Sequence, residues 1–222
     1  QVGNRLLGER PSRTVSFEAL KLAAGTVLLS PFIPLLFMGE EYGETAPFPY
    51  FISHSESALV EAVRRGRREE FAAFNWLGEL SDPQDEATFQ CAKIDHQLRH
   101  EGHHRVLLEF YRELIRLRKE NPILSKLSKK SQEVSGDEEN KVMMVHRWNG
   151  DDEVFMVFNF GDDRISAPLS FPAGNWSKLF DSAEERWQGG GSTVGQHICS
   201  KGKATIPLSS EAFALFVRTE EI

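Results

Sequence analysis

The stretch LKLAAGTVLLSPFIPLLFMGEEYGE, residues 20–44, reads in three parts. Leu20, Ala23, Ala24, Val27 and Leu28 recur at helical spacing. Ser16 can cap that helix, and Glu18 falls in its first turn. Ser30-Pro31 ends it. Residues 33–38 are then a short, continuous apolar run bounded by Pro34 and Gly39. That is the pattern of a parallel strand buried on both faces, with Pro34 confined to its first residues. Residues 39–44 follow as an acidic glycine loop. A lone parallel strand cannot pair its own N–H and C=O groups. The stretch is therefore expected to be the last slice of a larger α/β sheet or barrel.

Reading outward, residues 1–13 mix glycine, proline and arginine and are predicted to form a loop. Residues 56–74 read as an amphipathic helix carrying Arg64, Arg65, Arg67 and Arg68. A solvated face paired with Glu69 and Glu70 is the expected use of those arginines. Residues 76–102 look polar and irregular, and nothing in 45–103 resembles a second buried strand. Residues 105–119 predict a strong amphipathic helix, stopped by Asn121-Pro122. Beyond Pro122 the period changes to that of strands, over 142–148, 153–160, 164–169, 176–180, 203–208 and 212–218. Polar turns such as Asn149-Gly150-Asp151 separate them, which predicts a small antiparallel β-sandwich. The expected fold class is α/β plus all-β. The expected domains are 1–122, an incomplete barrel end, and 123–222, the sandwich.

Composition narrows the function. Hydrophobic residues make up 40% and charged residues 27% of 222, the balance of a globular chain rather than a disordered one. A formal charge of -7 argues against nucleic acid, which needs a basic face. The most apolar run, 20–38, is interrupted by Lys21, Ser30, Pro31 and Pro34 and makes a poor membrane span. Cys91 and Cys199 stand far apart with no CxxC, so a reduced, cytoplasmic setting is expected.

Two loops hold the candidate ligand-binding groups. Arg5, Glu9 and Arg10 can hydrogen-bond a polyhydroxylated ligand, or can form a solvated loop with a local salt bridge. Glu40, Glu41 and Glu44 follow the predicted strand directly, where carboxylates act as acids, bases or hydroxyl-binding groups, or simply make an acidic surface turn. Tyr42, Phe48, Tyr50 and Phe51 lie close by, as sugar platforms or as core. His96, His100, His103 and His104 invite a metal reading. Gly102 argues against one helix spanning His100 and His104, and no carboxylate or thiol stands at ligand spacing. His103 and His104 are expected to cap or flank the long helix. Trp148 and Trp176 fall in apolar strand patterns and are expected in the core.

The segments QVGNRLLGER, the 20–44 stretch, LVEAVRRGRREEFAAF and DPQDEATF resemble the malto-oligosyltrehalose trehalohydrolases, within the alpha-amylase family of glycoside hydrolases. Glycogen branching enzymes share a segment like FMGEEYG, but the opening segment and DPQDEATF favour the trehalohydrolases. The resemblance implies the end of a (β/α)8 barrel followed by a β-sandwich. It implies retaining hydrolysis of the α-1,4 bond next to the terminal trehalose of maltooligosyl trehalose, with no cofactor. In that family QVGNR follows Asn-His-Asp, whose Asp stabilises the transition state. The nucleophile and the acid/base come earlier still, so this chain is expected to hold no catalytic residue and to be inactive alone. Its implied role is the wall of the sugar cleft: Gln1, Asn4, Arg5 and Glu9 from one loop, and Glu40, Glu41 and Tyr42 from the other. The implied partners are the α-glucan and the N-terminal part of the same enzyme. The alternatives are a branching-enzyme portion and a non-catalytic glucan-binding module.

Overall fold

The computed structural model describes residue 2 and residues 5–72, 81–166 and 168–219. Helix α1 (Phe17–Leu29) starts where its capping signal stands: Ser16 Oγ accepts from the Ala19 N–H at 2.9 Å, and Glu18 lies in the first turn. Ser30 is already extended, and the helix stops there. The next segment corrects the sequence reading. Residues 33–38 form no strand, and Ile33 and Leu35 are 81% and 92% exposed. A parallel strand exists only through ladders to its neighbours, and among the described residues none pairs with this segment. Pro31 and Pro34 further remove two donors from it.

Helix α2 (Ser57–Ala72) matches the predicted amphipathic helix. A short helix, α3 (Glu86–Gln90), was not expected in the polar stretch; Asp85 Oδ1 caps it by accepting from the Ala87 N–H. Helix α4 (Gly102–Glu120) buries Leu107, Phe110, Tyr111, Leu114 and Leu117 along one stripe.

Among the described residues eight strands follow: β1 (Gln132–Asp137), β2 (Val142–Asn149), β3 (Asp152–Asn159), β4 (Pro168–Ser170), β5 (Gly174–Asp181), β6 (His197–Ser200), β7 (Lys203–Thr205) and β8 (Ala212–Thr219). Six form one antiparallel sheet in the order β1-β2-β3-β8-β5-β6, and β4 pairs with β7. Strands β1 and β6 lie at the sheet edges; β1 is mostly exposed and polar, and β6 is only four residues long. The predicted strand 164–169 divides into an isolated Ile165–Leu208 bridge and β4.

The pleat sends alternate residues to two cores. On one face, Phe155, Trp176 and Phe216 pack with Leu169, Ile206 and Leu208, joining the six-stranded sheet to the β4–β7 region as a sandwich. On the other face, Val154, Met156, Phe158, Phe213 and Leu215 pack against α1 and α4. Gly25 allows the close approach of α1: a Cβ there would stand 2.3 Å from the Phe213 ring. Arg147, buried in β2, donates to the carbonyls of Leu29, Ile123 and Lys126 and ties both helices' ends to the sheet.

The chain forms two compact units. One compact unit is Gln1–Val15 with Phe37–Glu101; the other is Ser16–Leu36 with Gly102–Ile222. Helices α1 and α4 fall with the strands because they cover that second apolar face of the sheet.

Candidate functional site

The acidic loop owes its shape to two glycines. Gly39 and Gly43 take φ of +85° and +70°, in the left-handed region, and bracket one turn of 3-10 helix, Glu40–Tyr42. A Cβ on Gly39 would lie 2.6 Å from the Cβ of Glu44, so a side chain there is excluded by space as well as by φ. The Glu44 N–H closes the loop onto the Gly39 carbonyl at 2.8 Å. Glu40 turns back on its own segment and accepts from the Phe37 N–H at 2.8 Å.

Tyr42 and Glu44 point inward and are 2% and 1% exposed. Glu44 Oε1 accepts from the N–H groups of Thr45 and Ala46, at 2.7 and 2.8 Å. Its Oε2 accepts from the Tyr42 hydroxyl at 3.0 Å and from the Asp95 N–H at 2.7 Å. Burial alone would push this carboxyl up; the N–H groups of Ala46, Asp95 and Thr45 and the Tyr42 hydroxyl outweigh burial and hold it below the usual carboxylate range. Burial, and donation to a carboxylate, raise the Tyr42 phenol well above its ordinary value. Tyr42 is thus a buried support of the turn; its ring face is not open to a sugar.

Arg10 is the second buried charge, 2% exposed. Its Nε donates to the Ala46 carbonyl at 2.6 Å and its Nη1 to the Met38 carbonyl at 2.7 Å, with the guanidinium 5.1 Å from the Phe37 ring centroid. Its Nη2 is buried without a hydrogen-bond partner. Burial lowers its pKa, against the pull of Glu44, Tyr42, Glu41 and Glu40. Ser12 Oγ donates to the Glu44 carbonyl, Arg13 Nε to the Thr45 carbonyl, and the Phe48 N–H to the Gly8 carbonyl. Residues 8–13 therefore fasten the acidic turn along its whole length, making one body of the two loops singled out in the sequence.

Of the predicted wall residues, Arg5 and Glu9 form an ion pair, Nε to Oε2 at 3.5 Å, open to solvent. Glu9 also accepts from the Leu7 N–H. Glu41 is half-buried within the turn. Gln1 and Asn4 lie outside the described residues. The sequence missed that Glu44 and Arg10 are interior groups; nothing in their spacing distinguishes them from Glu41 and Arg5. A network like this can hold polar side chains at fixed separation around a polyhydroxylated ligand.

The remaining candidates are structural. His103 packs edge-on against Phe17 and beside His104, in the first turn of α4. Among the described residues no three His, Cys, Asp or Glu side chains gather as a metal site, and no helix is long and apolar enough to cross a membrane. Arg64 pairs with Glu61 and Asp82, and Arg67 with Glu70, on the face of α2. Trp176 is buried and donates to the Pro172 carbonyl, Trp187 is buried, and Trp148 is half-buried.

Residues 134–218 match the family model of the alpha amylase C-terminal all-beta domain. The chain is 41% identical over 167 residues to a malto-oligosyltrehalose trehalohydrolase of Rhizobium sp. strain M-11, covering 75% of this chain and 27% of that protein. It is 44% identical over 140 residues to the enzyme of the same name from Brevibacterium helvolum, covering 63% of this chain and 24% of the relative. The crystal structure of a candidate alpha amylase from Salmonella typhimurium superposes with a TM-score of 0.76 at 30% identity, covering 99% of this chain and 34% of that one. The chain thus spans about a quarter of the length of these curated relatives.

Proposed function

We propose that this chain, similar in sequence to the C-terminal part of the malto-oligosyltrehalose trehalohydrolases of the alpha-amylase family, serves as that part of such an enzyme. The enzyme cleaves the α-1,4 bond next to the terminal trehalose of maltooligosyl trehalose, releasing trehalose in the cytoplasm. The observation that carries this reading is the 41% identity to such an enzyme over three quarters of the chain.

In this reading α1 and residues 33–38 are the end of a (β/α)8 barrel. The unpaired, exposed apolar segment supports it: Ile33 and Leu35 have the character of a strand interior, and neighbouring strands would cover them and complete their hydrogen bonds. The acidic turn follows that segment directly and so falls at the C-terminal face, where barrel active sites are built.

Retaining hydrolysis needs a nucleophile and an acid/base about 5–5.5 Å apart. The resemblance assigns neither to this chain. Its contribution is the cleft wall: Arg5, Glu9, Glu40 and Glu41 are the groups with solvent access to grip sugar hydroxyls, with Gln1 and Asn4 added by the resemblance. Tyr42, Glu44 and Arg10 hold the wall in shape.

The test is product analysis on the full-length enzyme, with maltooligosyl trehalose as substrate. Free trehalose supports the reading, and new α-1,6 branches would make the parent a transferase instead. In that enzyme Arg5→Ala and Glu9→Ala should each lower kcat/KM by about 10- to 150-fold, the equivalent of one charge-assisted hydrogen bond, with an unchanged melting temperature. Wild-type kinetics in both variants would remove this loop from the wall.

A further inference from the structure

We propose that Arg10 is a positioning residue that sets the spacing between the Arg5–Glu9 loop and the Gly39–Glu44 turn, and through it the fit of the sugar between them. The inference rests on the function proposed above.

The two carbonyls that Arg10 binds lie on opposite ends of the turn, Met38 just before Gly39 and Ala46 just after Thr45. A planar guanidinium reaches both at once because its donors form a rigid fork, which a lysine ammonium on a flexible stem does not provide. The arrangement leaves Nη2 buried and unpartnered, a cost that a smaller polar group would avoid. Neighbouring contacts do the same job more weakly: Ser12 and Arg13 add single bonds to the carbonyls of Glu44 and Thr45. Glu9 is adjacent to Arg10 in sequence, and Glu41 lies inside the turn that Arg10 clamps. The backbone segments that carry these two groups are thereby tied to one another. Arg10 itself is buried, so it touches no substrate.

The experiment compares wild-type full-length enzyme with Arg10→Lys, assayed well below the melting temperature. The expected result is a kcat/KM about 10- to 100-fold lower, carried mainly by KM, in a folded protein. Adding Glu9→Ala to Arg10→Lys should then cost far less than Glu9→Ala alone, because the two act through one geometry. A folded Arg10→Lys with normal KM, or a strictly additive double variant, overturns the proposal. Should Arg10→Lys fail to fold, the pair Ser12→Ala with Arg13→Ala carries the test: a raised KM supports the proposal and an unchanged one overturns it. If the wild-type enzyme releases no trehalose, the functional reading fails separately. The clamp is then judged by amide hydrogen exchange at residues 38–46 in Arg10→Lys, where faster exchange supports it and unchanged exchange overturns it.

Discussion

Glu44 is the residue on which the acidic turn depends most. Each of its oxygens accepts two donors. In Glu44→Gln, the amide can place its NH2 on the Oε2 side, where the Tyr42 hydroxyl can turn to accept from it and only the Asp95 N–H is left opposite a donor. The expected loss is about 1–3 kcal/mol, the cost of one buried donor left unmatched. It can be read as faster exchange of the Thr45, Ala46 and Asp95 amides. The pH dependence has a definite sign. The folded carboxyl titrates below its unfolded value, so the folded state binds fewer protons. Its stabilisation is complete above the ordinary carboxylate range, about pH 4–5, and fades as pH falls through the lowered folded value. Wild type and Glu44→Gln should therefore differ most near pH 7 and converge in acid. A difference that stays constant down to pH 3 would show that the carboxylate charge is not what stabilises the turn. The sequence exposed only part of this. Gly39 and Gly43 announce a tight turn, but which of Glu40, Glu41 and Glu44 faces inward depends on the backbone path between them.

At the scale of elements, the helices were legible because their signals are local. Ser16, Glu18 and Ser30-Pro31 mark both ends of α1, and the stripe of α4 is wide and regular. Central strands were legible for the same reason, through runs such as 153–160. Edge strands β1 and β6 were not, because an edge needs no apolar alternation. The segment 33–38 failed in the opposite way: its composition is that of a strand, but strand formation is a property of neighbours. Gly25 shows how element packing escapes a propensity argument. Alanine would improve α1 by about 1 kcal/mol. Its Cβ would meet Phe213, which Phe110, Phe158 and Phe180 hold in place. Overpacking costs about 1–3 kcal/mol, so Gly25→Ala should destabilise by about 1 kcal/mol. A higher urea midpoint for the variant would show that Phe213 moves aside freely.

For the molecule as a whole, the second face of the sheet decides where the chain can be cut. A fragment 123–222 would expose Val154, Met156, Phe158, Phe213 and Leu215, since α1 and α4 are gone. Each such side chain is worth about 1.5–3 kcal/mol when buried. Fragment 123–222 should bind a hydrophobic dye and unfold without a sharp transition, and fragment 102–222, which keeps α4, should bind less dye and unfold more cooperatively. Equal behaviour of the two would show that α4 is dispensable. The residue pattern after Pro122 was enough to find the sandwich, but not to find that helices earlier in the chain complete its core.

The exposed segment around Ile33 and Leu35 also bears on how this polypeptide behaves at high concentration. Apolar extended chain with open backbone groups is a template for other copies to add to, strand on strand. Pro31 and Pro34 interrupt that template, because each lacks an N–H and neither can extend a ladder. Self-association through this segment should consequently stop at irregular, soluble clusters instead of growing into ordered fibrils. The two prolines thus act as gatekeepers, protecting the chain while this segment is uncovered, including the interval of its own synthesis.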